Sequence, residues 1–262
     1  MKKKRLAIIG SGSLANIIAD AYRSKMLEEY EPVCVMGRTE SKTVSLADRL
    51  GCGAAFTIDD MLDAKPDIIA EAASVQAVKD SVLKIADSGV DFAVLSIGAF
   101  ANSTFYNQVK ERFAKNNAKL YIPAGAIGGL DVMQAISLMG NCSAEFLIRK
   151  GVDAYAGTEI FTEDILHIKE ETCIFSGTAA EVIKLLPTKV NVAVTTSLAT
   201  VGADSLKTEI YAVPEMKDDD IQIKLKGEDA SAHLQICSKP SDITAWSIVA
   251  LLKNIVSPVV FY

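Results

Sequence analysis

A glycine-rich turn follows the first apolar segment of the chain, and it constrains the fold more than any other feature of the sequence. The turn, Gly10-Ser11-Gly12-Ser13-Leu14-Ala15, lies between the strand-like run Arg5–Ile9 and apolar residues at helical spacing that continue to Leu27. Its first glycine permits a tight turn, its second leaves space for a pyrophosphate, and Ala15 lets the helix pack closely on the strand. The amides that begin the helix can bind phosphates. The predicted dinucleotide-binding residues are therefore Gly10, Ser11, Gly12, Ser13 and Leu14.

Strand-like and helix-like segments alternate up to residue 122, which predicts a parallel sheet with helices on both faces. The further expected strands are Pro32–Met36, Asp67–Ala70, Phe92–Ser96 and Lys119–Ile122, and the further expected helices are Ser41–Leu50, Val75–Ser88 and Thr104–Asn116. Together with the glycine turn, this order predicts an α/β fold that opens with a Rossmann domain, a doubly wound parallel sheet, over residues 1–122.

The pattern changes at Pro123, after which strand-like segments follow one another with few helices between them. Such an order is typical of an antiparallel or mixed sheet, so we expect a second, α+β domain over residues 123–240. Its expected strands are Ala144–Arg149, Thr172–Phe175, Thr208–Val213, Ile221–Lys226 and Ala232–Cys237, and its expected helices are Ala179–Leu186 and Val192–Thr200. Residues 241–262 should form a C-terminal amphipathic helix, over Ser241–Ile255, that packs back on the body of the protein.

Composition argues against several classes of partner. The formal net charge of -6 disfavours nucleic-acid binding, which needs a basic face. No apolar run approaches the roughly 18 residues of a membrane helix, so we expect no membrane partner. Five cysteines without a CxxC pair and only two histidines argue against a disulfide framework and against a metal site. With no signal-peptide pattern behind the basic N-terminus, a cytoplasmic protein is expected.

The end of the second strand distinguishes NAD from NADP, because an acidic residue there binds the ribose 2′-hydroxyl and an arginine accommodates a 2′-phosphate. This sequence has Met36-Gly37-Arg38-Thr39, without an acid. Arg38 can pair with a phosphate, and Thr39 can donate a hydrogen bond to it. NADP is therefore the preferred prediction and NAD the alternative, although Arg38 could also be a surface arginine at the start of a loop.

Small residues follow three of the predicted parallel strands, at the sheet edge where ligands bind in open α/β folds. Two of these segments, Glu71–Ser74 and Ser96–Ala99, are either cofactor contacts, with Ala73 and Ser74 as the candidates, or plain strand-to-helix turns. The third, Pro123–Asp131, is rich in glycine and could hold a planar ring or a carboxylate against its backbone. Its alternative is a structural hinge, and its substrate-binding candidates are Gly125, Ile127 and Gly128.

These segments, read in order together with Asn191-Val192-Ala193, resemble the L-aspartate dehydrogenases over most of the chain. The resemblance implies oxidative deamination of aspartate to iminosuccinate with NAD or NADP, and a small amino or keto acid as substrate. It also implies a substrate domain whose sheet is used in dimerisation, and hence a homodimer. It assigns cofactor contacts to Ala126 and Asn191.

The sequence departs from the family at the catalytic histidine, which in members lies seven residues after the proline of an Ala-Asp-Pro segment. Here Ala212-Val213-Pro214 is followed at that distance by Ile221, which cannot transfer a proton. The catalytic residue is therefore unknown, and the weak substitutes are Asp220 and His233. Asp220, with its neighbour Asp219, could instead belong to a solvated turn between strands, and His233 could be structural or exposed.

Three hypotheses follow. The first is an aspartate dehydrogenase-like oxidoreductase acting on a small amino acid. The second is a nicotinamide-cofactor-binding protein with lost or altered catalysis, which the isoleucine at position 221 motivates. The third is a different two-domain Rossmann reductase, because a fold does not fix a function.

Overall fold

A computed structural model describes residues 2–186, 191–239 and 242–261, in two compact units. Unit 1 contains the chain up to Gly125 together with Thr244–Phe261, and unit 2 contains Ala126–Ile243. The sequence places its domain limits after residues 122 and 240, whereas the chain passes between the units after Gly125 and Ile243. Within the described ranges, no helix is both long and apolar enough to cross a lipid bilayer.

Unit 1 is built on a six-stranded parallel sheet in the order β3-β2-β1-β4-β5-β6. Its strands are β1 (Lys4–Ile9), β2 (Tyr30–Met36), β3 (Gly53–Ala55), β4 (Ile68–Glu71), β5 (Asp91–Val94) and β6 (Leu120–Tyr121). The direction of winding reverses between β1 and β4, and ligands of open α/β sheets bind at that switch point. The predicted Rossmann fold is confirmed.

Five helices accompany this sheet: α1 (Ser13–Arg23), α2 (Glu40–Leu50), α3 (Ile58–Asp63), α4 (Val75–Asp87) and α5 (Ser103–Lys115), with a 3₁₀ turn at Ile97–Phe100. The prediction that the first helix continues to Leu27 was wrong. The chain leaves the helix through Lys25, whose φ of 63° is left-handed, and Leu27 is buried outside it. The three-residue β3 has no clear signal in the sequence, whereas α3 has one that the prediction missed, the N-cap Thr57 followed by Asp59 and Asp60. Gly51 caps α2 with a left-handed φ of 66°, as expected.

The core of unit 1 includes residues from a distant part of the sequence. Ile248, Val249 and Leu252 of α9 (Asp242–Val256) belong to the same buried cluster as Leu6 and Ile8 of β1. The hydroxyl of the fully buried Tyr30 donates a 2.7 Å hydrogen bond to the Leu252 carbonyl. Burial raises the pKa of this tyrosine, so it stays a neutral donor. The C-terminal helix is thus a structural part of unit 1.

Unit 2 contains a mixed five-stranded sheet in the order β11-β10-β7-β9-β8. Its strands are β7 (Ser143–Gly151), β8 (Thr172–Thr178), β9 (Lys207–Val213), β10 (Asp219–Lys226) and β11 (Ser231–Ser238), and its helices are α6 (Leu130–Leu138), α7 (Ala179–Leu185) and α8 (Asn191–Ala199). β7 pairs with β9 in parallel and the other ladders are antiparallel. The predicted α+β architecture with a mixed sheet is confirmed.

One face of this sheet is apolar and buried, because alternate strand residues point to opposite faces. Ile148, Ile210, Ile221 and Ile223 lie in its core, from three adjacent strands. The opposite face is polar and more exposed. Alternation along β10 therefore decides which of its side chains can meet solvent.

Candidate cofactor-binding site

The glycine turn joins β1 to α1 with a backbone that requires glycine at its first position. Gly10 has a φ of 126°, and a Cβ there would lie 2.5 Å from the carbonyl oxygen of Ala72. A Cβ at Gly12 would meet nothing within 4 Å, so space is open beside the second glycine. The turn thus packs tightly on the residues that follow β4 at one glycine and leaves room for a ligand at the other.

The start of α1 offers hydrogen-bond donors to that space. Gly12 caps the helix without a side-chain hydrogen bond, and the amide of Asn16 is bonded to the Gly12 carbonyl at 3.1 Å. The amides of residues 13 to 15 precede that bond and have no acceptor within the helix. A pyrophosphate would supply one, favoured by the positive end of the helix dipole. These residues therefore fit the phosphates of a dinucleotide.

A cleft of about 310 Å³ runs along this edge of the sheet. The turn, the tip of β2 and the turn between β4 and α4 form its walls. Seven of the predicted cofactor residues line it: Gly10, Ser11, Gly12, Arg38, Thr39, Ala73 and Ser74. Ser13 lines an adjoining cleft, whereas Leu14 packs against the core of unit 1.

The tip of β2 presents two cations to the cleft. Arg38 and Lys42 line it, both are exposed, and neither has an ion-pair partner among the described residues. The described residues that line the cleft include no carboxylate, so a bound anion would meet no repulsion there. Phe56, also exposed, lines the same cleft beyond β3. The sequence reasoning missed Lys42 and Phe56. Lys42 lies in the first turn of α2, four residues after Arg38, and a second cation so close to the strand tip was a readable signal.

A buried carboxylate lies at the carboxyl end of β4, beside the cleft. The side chain of Glu71 is fully buried and accepts hydrogen bonds from the amide of Ala73 at 2.7 Å and from the hydroxyl of Ser96 at 2.8 Å. The amides of Leu95 and Ser96 donate to its other oxygen at 3.2 and 2.9 Å. Burial raises the pKa of Glu71, and these hydrogen bonds oppose that rise. A glutamate that ends an apolar strand was the sequence signal for this cluster.

The glycine-rich run predicted to bind substrate is divided between the two units. Gly125 has a left-handed φ of 65°, and its amide donates to the Ser247 hydroxyl at 3.0 Å. Ile127 is buried in the core of unit 2, so it has only its backbone to offer a ligand. Ala126 packs partly buried against that core, and a Cβ at Gly128 would meet nothing within 4 Å.

Asn191, the predicted cofactor contact in unit 2, is the first residue of α8. Its carbonyl accepts a hydrogen bond from the Thr195 hydroxyl at 3.0 Å. The contacts of Ala126 and Asn191 with a cofactor, and those of the glycine-rich run with a substrate, stay predictions.

Asp220, the first catalytic candidate, is an ion-paired strand residue. It lies in β10 opposite Arg149, whose guanidinium is 3.3 Å from its carboxylate. Although partial burial acts to raise its pKa, hydrogen bonds from Gln235, Gln222 and Cys237 and the charge of Arg149 lower it overall. An anion held this firmly is a poor general base.

The interpretation of this acidic segment as a solvated turn was wrong for Asp219 and Asp220. β10 begins at Asp219, which is only 8% exposed and lies 2.7 Å from the ammonium group of Lys150. Lysine and arginine at adjacent positions of β7 supply one countercharge to each aspartate. Both carboxylates can therefore enter the strand.

His233, the second candidate, is exposed on β11 and pairs in register with Lys224. It lies on the polar face of the sheet, two side-chain pairs along that face from Asp220. Ile221, at the position where family members carry histidine, lies on the opposite face and is 1% exposed. The backbone therefore places position 221 in an apolar core, where isoleucine packs well.

Two family models together match almost the whole chain. Residues 131–255 match the one described as aspartate dehydrogenase, C-terminal, and residues 9–123 match the homoserine dehydrogenase NAD binding domain. The L-aspartate dehydrogenase of Methanosarcina barkeri is 30% identical over 267 residues, which cover 97% of this chain and 98% of that protein. The chain belongs to the L-aspartate dehydrogenase family. The L-aspartate dehydrogenase of Brucella anthropi is also 30% identical, over 266 residues and 97% of both chains.

One solved structure agrees with membership of the L-aspartate dehydrogenase family. The crystal structure of aspartate dehydrogenase from Thermotoga maritima matches with a TM-score of 0.79 and 25% identity, and the match covers 99% of both chains. An amine dehydrogenase from Mycobacterium smegmatis has a TM-score of 0.58 at 14% identity, over 97% of this chain and 92% of that one, and shows only a shared fold. The resemblance drawn from the sequence is confirmed.

Proposed function

We propose that this chain is an NADP-preferring oxidoreductase that oxidises L-aspartate to iminosuccinate, which water hydrolyses to oxaloacetate and ammonia. Its family consists of dehydrogenases that act on CH–NH₂ groups with NAD or NADP, which supports the reaction class. The observation that carries the proposal is the cleft at the switch point of the parallel sheet, with the glycine turn at its centre and two cations at one end. NAD as the cofactor is the alternative.

Different residues of the cleft bind different parts of the cofactor. The amides that begin α1 hold the pyrophosphate, while Arg38 and Lys42 pair with the phosphate on the adenosine ribose. Ala73 and Ser74, on the other side of the turn, offer backbone and a hydroxyl toward the nicotinamide half. A nicotinamide ring bound in the cleft would supply the acceptor for the hydride that leaves the substrate Cα. The amino group loses its proton to a base or to water.

The proton step has no assigned residue in this chain. Ile221 cannot perform it, Asp220 is paired with Arg149, and His233 remains a candidate on an exposed strand. Catalysis would then depend chiefly on positioning, with water as the proton acceptor. The second candidate function is a cofactor-binding protein with lost or altered catalysis. One observation favours it: isoleucine occupies position 221, where family members carry the catalytic histidine.

One assay separates the two functions. Purified protein is mixed with NADPH, oxaloacetate and ammonia, and the nicotinamide absorbance is followed. Consumption of NADPH that depends on ammonia would exclude the binding-only function. Tight NADPH binding, measured by its fluorescence, without turnover on aspartate or a panel of related amino acids would exclude the dehydrogenase.

The cofactor preference has a sharper test. Because hydrogen bonds between charged groups contribute about 1.5–3 kcal/mol, Arg38→Ala should raise the Kd of NADPH roughly tenfold to hundredfold. The Kd of NADH, which lacks the 2′-phosphate, should change less than about threefold, within the scatter of a lost surface charge. Arg23→Ala removes an equal charge from the far end of α1 and serves as the control. Equal losses for both cofactors would refute the assignment of Arg38.

We also propose a cytoplasmic homodimer. The family resemblance supports dimerisation through the sheet of unit 2, and five cysteines that make no disulfide among the described residues suit a reducing compartment. Light scattering coupled to gel filtration measures the mass directly. A single species at 28.0 kDa would refute the dimer.

A further inference from the structure

Glu71 is a buried ionisable group that the proposed reaction does not use. Four of the hydrogen-bond donors to its carboxylate come from two different segments of the chain. One is the turn from β4 to α4, represented by the Ala73 amide. The other is the end of β5, represented by the amides of Leu95 and Ser96 and by the Ser96 hydroxyl.

The two segments share one edge of the sheet. β4 and β5 are parallel neighbours, with Glu71 opposite Val94 in register, so both chains leave the sheet on the same side. Ala73 and Ser74 go on to line the cleft, and Ser74 caps α4 by accepting from the Ala77 amide at 3.2 Å. The carboxylate is thus a brace between the wall of the cleft and the strand behind it.

The donors require an acceptor with two oxygens. Three backbone amides and a hydroxyl converge on Glu71, and its neighbours across the sheet, Ile9 and Val94, are apolar. An amide side chain would turn one of these acceptors into a donor that faces other donors. An unmatched buried donor is unfavourable, so the structure would rearrange to avoid it. The turns would move, because the strands are held in place by the hydrogen bonds of their own ladders.

The position of Glu71 in the sheet indicates which half of the cofactor it would affect. β2, which is followed by Arg38, lies on one side of β1 and receives the adenosine half. β4 and β5 lie on the other side, where the nicotinamide half extends. We infer that Glu71 is a positioning residue that sets the wall for the nicotinamide half of the cofactor by holding the turns after β4 and β5 together. The inference rests on the proposed function, since it needs a nicotinamide cofactor in the cleft.

The test compares the whole cofactor with its adenosine half. Adenosine 2′,5′-bisphosphate contains the groups that the β2 tip would bind and lacks the nicotinamide riboside. For Glu71→Gln we expect the Kd of NADPH to rise about tenfold while the Kd of adenosine 2′,5′-bisphosphate stays within about twofold. A merely structural loss of stability, measured well below the unfolding temperature, would leave both constants unchanged.

A matched control lies at the other end of the same strand. Asp67 precedes β4, and its carboxylate accepts a 2.7 Å hydrogen bond from the Arg5 amide at the amino edge of the sheet. Asp67→Asn should leave both dissociation constants unchanged. If Glu71→Gln does not fold, Ser96→Ala removes one donor to the carboxylate and should shift the NADPH constant about threefold in the same direction, with the fragment unaffected.

The outcomes separate the inference from the function on which it rests. A folded Glu71→Gln protein with an unchanged NADPH constant, or with equal losses for NADPH and the fragment, would overturn the positioning role while the wild type still binds cofactor. The positioning role is likewise overturned if Ser96→Ala, used in its place, leaves the NADPH constant unchanged. A wild type that binds neither NADPH nor NADH would overturn the proposed function and this inference with it.

Discussion

Each of the two sheets has a buried carboxylate, but the groups that stabilise the carboxylate differ between the sheets. In unit 1, Glu71 is surrounded by backbone amides and a serine hydroxyl. In unit 2, Asp219 faces the ammonium group of Lys150 at 2.7 Å. Glu71 is thus balanced by dipoles alone at the edge of a ligand cleft, whereas the lysine cancels the charge of Asp219.

The two sheets also differ in the chemistry that they offer: one has groups that can bind a ligand, and the other lacks a base at the expected position. The edge of the parallel sheet keeps its turn, its donors and its cations directed at a cleft. On the core face of the mixed sheet, the position expected to hold a base is isoleucine, and the nearby acid is already paired. The described residues of unit 1 thus form a cleft that fits a cofactor, whereas on the core face of unit 2 around Ile221 they offer only packing and an ion-paired acid.

The largest effect should come from closing the glycine turn of unit 1. Gly10→Ala forces a Cβ to 2.5 Å from the Ala72 carbonyl oxygen at a φ of 126°. We expect a loss of about 4 kcal/mol in the free energy of unfolding and no measurable NADPH binding. Urea denaturation and fluorescence titration measure the two.

Gly51 supplies the control, since it has a left-handed φ of 66° and open space for a Cβ. Gly51→Ala should cost only about 1 kcal/mol, with cofactor binding retained. Equal losses in the two variants would show that backbone strain, and not the contact with Ala72, limits the turn.

The second-largest effect should come from breaking the ion pair between Lys150 and Asp219 in unit 2. Lys150→Met leaves the carboxylate of Asp219 buried without its partner, which should cost about 3 kcal/mol of unfolding free energy. Lys84→Met, which breaks an exposed pair with Asp59, should cost at most about 1 kcal/mol. Comparable midpoints in urea for the two variants would contradict the view that Asp219 depends on its countercharge.

A smaller effect is expected at the core position. Ile221→Val removes one buried methylene group and should lower the free energy of unfolding by about 1 kcal/mol. The turnover number should stay as in wild type, because this side chain serves packing alone. A large fall in kcat with an unchanged Kd for NADPH would place residue 221 in the reaction after all.

The smallest expected effect is a dependence of the free energy of unfolding on pH. Since burial raises the pKa of Glu71, the folded protein holds this proton more tightly than the unfolded chain does. Its contribution to stability is complete at a pH below the ordinary glutamate pKa and is lost as the pH rises through the folded-state pKa. The unfolding free energy of wild type, measured relative to that of Glu71→Gln, should therefore fall as the pH rises above the ordinary glutamate pKa. Parallel curves for the two proteins would contradict the shift.

Local patterns in the sequence were enough for most elements of both sheets and for the centre of the cleft. Gly10 and Gly12 between an apolar strand and a helix specify a turn whose geometry is local, and Arg38 at the end of β2 is equally local. A glutamate at the end of an apolar strand was a local signal, but the role of Glu71 was overlooked because its donors are brought together by pairing between β4 and β5. The pairing of Asp219 with Lys150 likewise depends on which strand lies beside β10, and that information is not local.

The helix α9 has a consequence for how the protein is made. Leu252 and its neighbours complete the core around Tyr30, although 222 positions separate Leu252 from Tyr30 in the chain. The parallel sheet emerges first from the ribosome but lacks part of its hydrophobic core until unit 2 and α9 have been synthesised. During that interval the nascent sheet exposes an apolar surface, so chaperone dependence and sensitivity to C-terminal truncation should concentrate in unit 1.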